Sequence, residues 1–327
     1  MRSVPLLVLA WLLSFSASVS ISQLRPKSAF IFGLGFVGRR FASQLVGDGW
    51  DVAGTCRSAE KAQELKSLGI RALLFDDEED APSREISEAV RASSCVLNTV
   101  PPTRVFASAV PPYGGSLYKD AGDAVLHNYV SDLSSASWVG YLSSTSVYGN
   151  RGGDWVSESD AIEPDQPKAI ARAEAEKAWL SLHRVQGVPV HAFRLAGIYG
   201  PGRSAIDTVR KNRGDYWACA PDNFQLISRI HVADICTALR ASVAHPSPGL
   251  VLNVADDEPA ERSRVLRYAC ALLNYPIAER PSAGLEPGVG VRGGSKRVSN
   301  KALKELLAGV GSSLEYPTFR EGLRACL

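Results

Sequence analysis

The chain has 327 residues, 45% of them hydrophobic, and its 36 basic and 34 acidic side chains leave a formal net charge of +2. That supplies ample core for one large α/β unit or two unequal domains. The basic residues are scattered, with no Lys/Arg block interleaved with aromatics, which argues against a nucleic-acid groove. Six widely spaced cysteines without a C-x-x-C pair argue against a zinc site.

At the start, Arg2 precedes an apolar stretch, Val4 to Leu13, that gives way to small residues, Ser14 to Ser20. This is the order of a secretory signal peptide, and its apolar part is too short for a stable membrane span. Residues 1–20 are therefore expected to be a leader into the secretory pathway, to the endoplasmic reticulum or a plastid reached through it. If the leader does not function, the chain is cytoplasmic.

A short apolar strand, Ala29 to Phe32, then runs into Gly33-Leu34-Gly35-Phe36-Val37-Gly38, and a helical pattern follows. Gly33 permits a tight turn, Gly35 lets a pyrophosphate approach the main chain, and Gly38 lets the helix pack closely on the strand. The helix start at Phe36 and Val37 supplies free N–H groups and a partial positive charge for phosphate. Between a strand and a helix, this spacing predicts a dinucleotide site.

Trp50 to Thr55 reads as the second strand, Ala59 to Leu68 as a helix ended by Gly69, and Ile70 to Phe75 as a third strand. Cys95 to Val100 is a fourth strand closed by two prolines, and residues 103–125 read as a Pro/Gly/Tyr-rich loop insertion. Trp138 to Leu142, a helix over Ala169 to His183, and Val188 to Leu195 complete the alternation. Strands and helices alternating at this spacing predict an α/β fold, a doubly wound parallel sheet of the Rossmann type. The expected division is a nucleotide-binding domain over 28–200 and a smaller C-terminal substrate lobe over 201–327, with elements returning to the core.

The end of the second strand bears on cofactor choice. An acid roughly 20 residues after the glycines would bind the adenosine ribose of NAD. Here the chain has Thr55-Cys56-Arg57-Ser58 and no acid. Arg57 can pair with a 2′-phosphate, which favours NADP, with NAD the alternative. Asp76 stands where an acceptor could meet the adenine amino group.

Further along, the residues resemble the extended short-chain dehydrogenase/reductase family, the group of nucleotide-sugar epimerases and dehydratases. The likeness is carried by Leu142-Ser143-Ser144-Thr145-Ser146-Val147-Tyr148-Gly149, by Arg194 to Gly202, by Arg229 to Ile235, by Asn253 to Pro259 and by the ending Tyr316 to Leu323. The resemblance implies that Ser144 hydrogen-bonds the reacting oxygen of a small hydroxyl or carbonyl substrate, a nucleotide sugar among the candidates. It also implies a Y-x-x-x-K helix motif. Aligned on Pro167 and the Ala-Glu run, Lys168 takes the Tyr position and Arg172 the Lys position, so the phenol is missing. Arg172 is expected at the nicotinamide ribose, and Lys168 or Tyr148 as the proton source; Arg194 and His231 are expected to tie the two lobes. The resemblance further implies pairing into a homodimer. The rival reading is a cofactor-binding protein without turnover, a sensor or assembly partner.

Overall fold

A computed structural model describes residues 27–75, 82–102, 122–212, 225–277 and 294–327. The leader-like segment and Asp76 lie outside the described residues. In chain order the strands are β1 (Ser28–Phe32), β2 (Asp51–Cys56), β3 (Arg71–Leu74), β4 (Cys95–Asn98), β5 (Trp138–Ser144), β6 (Trp155–Val156), β7 (Val190–Leu195), β8 (Gly197–Tyr199), β9 (Leu226–Ile227), β10 (Arg229–His231), β11 (Val251–Val254), β12 (Ala260–Glu261) and β13 (Arg297–Val298). The helices up to residue 211 are α1 (Phe36–Gly47), α2 (Ala59–Ser67), α3 (Arg84–Ala92), α4 (Ala124–Tyr129), α5 (Pro167–Gln186) and α6 (Ala205–Lys211). Helices over Val232–Ala244, Arg262–Leu272, Lys301–Gly309 and Phe319–Arg324 follow.

Seven strands form one sheet in the order β11-β7-β5-β4-β1-β2-β3, and every neighbouring pair is parallel. A parallel sheet needs cover on both faces, so its strands are apolar throughout rather than alternating. β1 shows this. Ala29 and Ile31 enter the core layer shared with α1 and the helix Val232–Ala244, while Phe30 and Phe32 enter the opposite layer with α3, α4 and α5. Each of these two aromatic rings is fully buried, a burial of about 2–3 kcal/mol per side chain.

The helices follow from local chemistry. α1 buries Val37, Phe41, Ala42 and Leu45 on one face and stops where Gly49 turns at φ +78°. α5 opens on Pro167, whose fixed φ suits the first helical position, and closes on Gly187 in the left-handed conformation. Its buried alanines at 169, 171, 173, 175 and 178 let it lie close on the sheet.

The strand order reverses direction between β1 and β4, so crossovers leave the sheet on opposite sides there. In doubly wound sheets a ligand crevice opens at that point, beyond the carboxyl ends of the strands. Gly33 follows β1 and Thr99 follows β4, which brings them together at the crevice.

Candidate active site

The glycine turn is pinned from both sides. Gly33 donates its N–H to Thr55 Oγ1 at 2.8 Å, and its carbonyl accepts from Thr99 Oγ1 at 2.6 Å. The turn needs φ +86° at Gly33, and a Cβ there would stand 2.6 Å from Thr99 Oγ1. At Gly38 a Cβ would come within 2.2 Å of the Gly33 carbonyl oxygen, so glycine alone lets α1 rest on the turn. Gly35 is different: a Cβ there meets nothing within 4 Å. No side chain caps α1, so the N–H groups of Phe36, Val37 and Gly38 have no intrahelical acceptor. Open space over bare main chain at a helix start is a cradle for a phosphate oxygen.

Two cavities meet over Gly35 and Thr99. The first, about 500 Å³, is walled by Thr55, Cys56, Arg57, Ser58, Lys61 and Phe75. The second, about 410 Å³, is lined by Phe36, Val37, Leu142, Ser143, Ser144, Arg172, Ala196 and Arg203. A third, about 540 Å³, adjoins the second through Gly197, Ile198 and Arg203, and runs between α6 and the helix Arg262–Leu272. The three share wall residues and so adjoin one another from the end of β2 to the helix Arg262–Leu272.

Within the second cavity Ser144 sits at the end of β5, its Oγ accepting the Ser146 N–H at 3.1 Å. The hydroxyl hydrogen is left to donate elsewhere. Arg172 reaches in from α5, fixed by a 2.7 Å bond from Nη1 to the Leu142 carbonyl. The structure therefore brings Gly35, Phe36, Val37, Ser144 and Arg172 to one cavity, with Arg57 on the neighbouring one.

It does not bring Lys168 or Tyr148 there. Lys168 lies in the exposed first turn of α5 and does not line the cavity. Tyr148 is fully buried. Its OH donates to Asn253 Oδ1 at 2.8 Å and accepts from Arg194 Nη1 at 2.8 Å, and burial pushes its pKa up. Arg194 in turn pairs with Glu176 at 2.6 Å, and Ser143 Oγ donates to the same carboxylate at 2.5 Å. This polar chain links β5, α5, β7 and β11 and gives Tyr148 and Arg194 a structural place. His231 is likewise buried, capping the helix Val232–Ala244 by accepting the Ala233 N–H at Nδ1. Sequence reasoning missed Thr99, Thr55 and Arg203. The only local signal for Arg203 was its place in a Gly-Pro-Gly-Arg turn.

A parallel sheet with a glycine cradle at its switch point and a two-part cavity across it defines a dinucleotide-binding Rossmann protein. A family model described as the NAD dependent epimerase/dehydratase family matches residues 29–255, and the chain belongs to that family. Protein YeeZ of Escherichia coli (strain K12) is 27% identical over 246 residues, 74% of this chain and 81% of that protein. A functionally unknown conserved protein from Silicibacter pomeroyi DSS is 33% identical, covers 92% of this chain and 98% of its own, and superposes with a TM-score of 0.72. The dTDP-glucose 4,6-dehydratase of Bacillus anthracis str. Ames, in complex with NAD, is 17% identical with a TM-score of 0.70, covering 91% and 94%.

These comparisons correct the expectation of NADP. The family is described as NAD-dependent, and the similar structures solved with a cofactor hold NAD. The physical reason is visible at Arg57. It stands exposed on the rim, and an exposed ion pair contributes only about 0–1 kcal/mol, too little to set the preference by itself.

Proposed function

We propose that the protein is an NAD-dependent enzyme that oxidises and reduces a hydroxyl- or carbonyl-bearing carbon of a small substrate, in the manner of nucleotide-sugar epimerases and dehydratases. The observation that carries the reading is the shared cavity of Ser144, Arg172 and the bare Gly35 cradle. The residues fit a dinucleotide: open main chain for the pyrophosphate, a fixed guanidinium for ribose hydroxyls, and a cavity on either side of the turn. Bound NAD supplies the hydride acceptor. The first-turn amides of α1 hold its phosphates, and Arg172, locked on Leu142, orients the adjoining ribose. Ser144 Oγ hydrogen-bonds the substrate oxygen and sets the carbon that bears it, and the hydroxyl proton released on oxidation passes to solvent and returns from it on reduction.

One observation favours the second reading, a cofactor-binding protein without turnover: neither Lys168 nor Tyr148 lines the cavity. The two are separated by one experiment on the full chain. NAD is titrated calorimetrically, then nucleotide sugars are screened for conversion by chromatography of the products, because a carbon that is oxidised and then reduced returns the cofactor to NAD. The enzyme reading expects turnover that falls about a hundredfold in Ser144→Ala, with NAD affinity unchanged. NAD binding with no turnover on any sugar nucleotide leaves the binding protein.

A further inference from the structure

We propose that Thr99, with Thr55 opposite it, holds the glycine turn in its phosphate-accepting shape before NAD arrives; this rests on the function proposed above. Thr99 is thus a positioning residue, acting on the cofactor through Gly33. Two peptide groups flank Gly33, and the two threonines engage all four of their polar ends. The Phe32 carbonyl accepts the Thr99 N–H at 2.9 Å, and the Gly33 N–H donates to Thr55 Oγ1 at 2.8 Å. On the other side, Thr99 Oγ1 donates to the Gly33 carbonyl at 2.6 Å, and the Leu34 N–H donates to the Thr55 carbonyl at 2.7 Å. Each threonine gives one main-chain and one side-chain bond. The main-chain bonds need no particular residue type, whereas the side-chain bonds need a hydroxyl. Thr99 must be the donor in its bond, because a carbonyl can only accept.

A glycine at φ +86° has no side chain to restrain its rotation. Were its peptide with Leu34 to turn over, a carbonyl dipole would enter the cradle and repel the phosphate that the α1 amides attract. The same carbonyl seats α1, since a Cβ on Gly38 would stand 2.2 Å from its oxygen. Thr99 is itself held in place. Its neighbour Asn98 is fully buried and uses both ends of its amide: Oδ1 accepts the Val100 N–H at 2.8 Å, and Nδ2 donates to Asp123 Oδ2 at 3.3 Å. Asp123 also accepts the Val125 and Leu126 N–H groups and the Trp179 Nε1–H. The segment Asn98–Val100 is thereby anchored to α4 and α5 and cannot follow Gly33 if the turn moves. Thr99 lines both the first and the second cavity, so its grip falls where a dinucleotide passes from one to the other. A turn ordered in advance meets the diphosphate without an ordering cost on binding.

The test uses the full chain and three ligands: NAD and ADP, which carry the diphosphate, and adenosine, which does not. Affinities are read by calorimetry, and for adenosine by ligand-observed NMR. Amide exchange across Gly33 to Gly38 is followed by mass spectrometry in the cofactor-free protein. Thr99→Val keeps the shape of the side chain and removes its donor. It should weaken NAD and ADP about five- to tenfold, the worth of one hydrogen bond, leave adenosine within twofold, and speed exchange in the turn. Thr99→Ser should keep NAD affinity within twofold of the parent. Should Thr99→Val fail to fold, Thr55→Val, which removes the acceptor of the Gly33 N–H, is read by the same criteria. An equal loss for adenosine overturns the inference, because it marks a general collapse of the cavities, and so does a Thr99→Ser protein no better than Thr99→Val. NAD affinity in Thr99→Val within twofold of a parent that binds NAD sinks the inference alone, whereas a parent that binds no NAD removes the proposed function and the inference with it.

Discussion

Gly35→Asp should move stability and cofactor binding in opposite directions. Gly35 has φ −81° and ψ −150°, an extended conformation open to any residue, and a Cβ there meets nothing within 4 Å. Asp is also a preferred residue at a helix start, where its carboxylate accepts the orphan amides of α1 and meets the positive end of the dipole. The gain is about 0.5–1 kcal/mol, a rise of about 1–2 °C in melting temperature for a chain of this size. For the cofactor the same carboxylate stands where a phosphate must lie. Two unit charges about 4 Å apart repel by about 4 kcal/mol at an effective dielectric near 20. Allowing for relaxation, ~2–4 kcal/mol predicts NAD affinity about 30- to 800-fold weaker. Thermal melts and calorimetric NAD titrations of the two proteins provide both readings. NAD affinity within twofold of the parent would refute the cradle, and a melting point lowered by several degrees would refute the open space above it.

Breaking the buried polar chain should affect the whole fold. Glu176→Ala leaves Arg194 charged and unpaired in the interior, at a cost of about 3–5 kcal/mol, and urea unfolding that shows less than about 1 kcal/mol would contradict the assignment. A pH effect follows from His191, whose Nε2 accepts the Ser247 N–H at 2.9 Å and so must be unprotonated. Burial holds its pKa down to about 4. The unfolded chain takes up that proton near pH 6.5, so between these values the unfolded state binds more protons and stability falls as pH drops. The loss is on the order of 3 kcal/mol at most. Asp234, raised to about 6 by burial, acts in the opposite sense, and His231, held down to about 4, in the same sense, so the effect is read as a difference: between pH 7 and 4.5 His191→Gln should lose less stability than the parent. Identical profiles would remove His191 as the cause.

The central sheet was legible because its buried strands are short apolar runs bounded by turn residues. Among the elements that escaped, two show why. α3 carries Ile86, Ala89 and Val90 at helical spacing behind a Ser83 cap, a clear period but one held in only nine residues. β11 has only four residues and joins the sheet from far along the chain, so its partner β7 cannot be inferred locally. The same division holds at the site. The glycine turn is a local device, readable from spacing. Thr55, Thr99 and Arg203 meet it only because the crossovers bring three distant segments together. Lys168 shows the limit of helical spacing: one turn before Arg172 it shares a face with it, yet lies exposed where Arg172 reaches the cavity. Tyr148, four residues after Ser144, turns instead toward Asn253, which sequence proximity to Ser144 could not reveal.

The link from Tyr148 to Asn253 makes the nucleotide-binding half dependent on the late chain. A truncation ending before Val251 would strip β7 of its outer neighbour, leaving an apolar strand edge open to pairing with other molecules. It would also remove the acceptor for the buried phenol, with Arg194 still beneath it. The first two hundred residues should therefore fail as a portable cofactor module, and aggregation rather than a smaller folded unit is the expected product of such a cut.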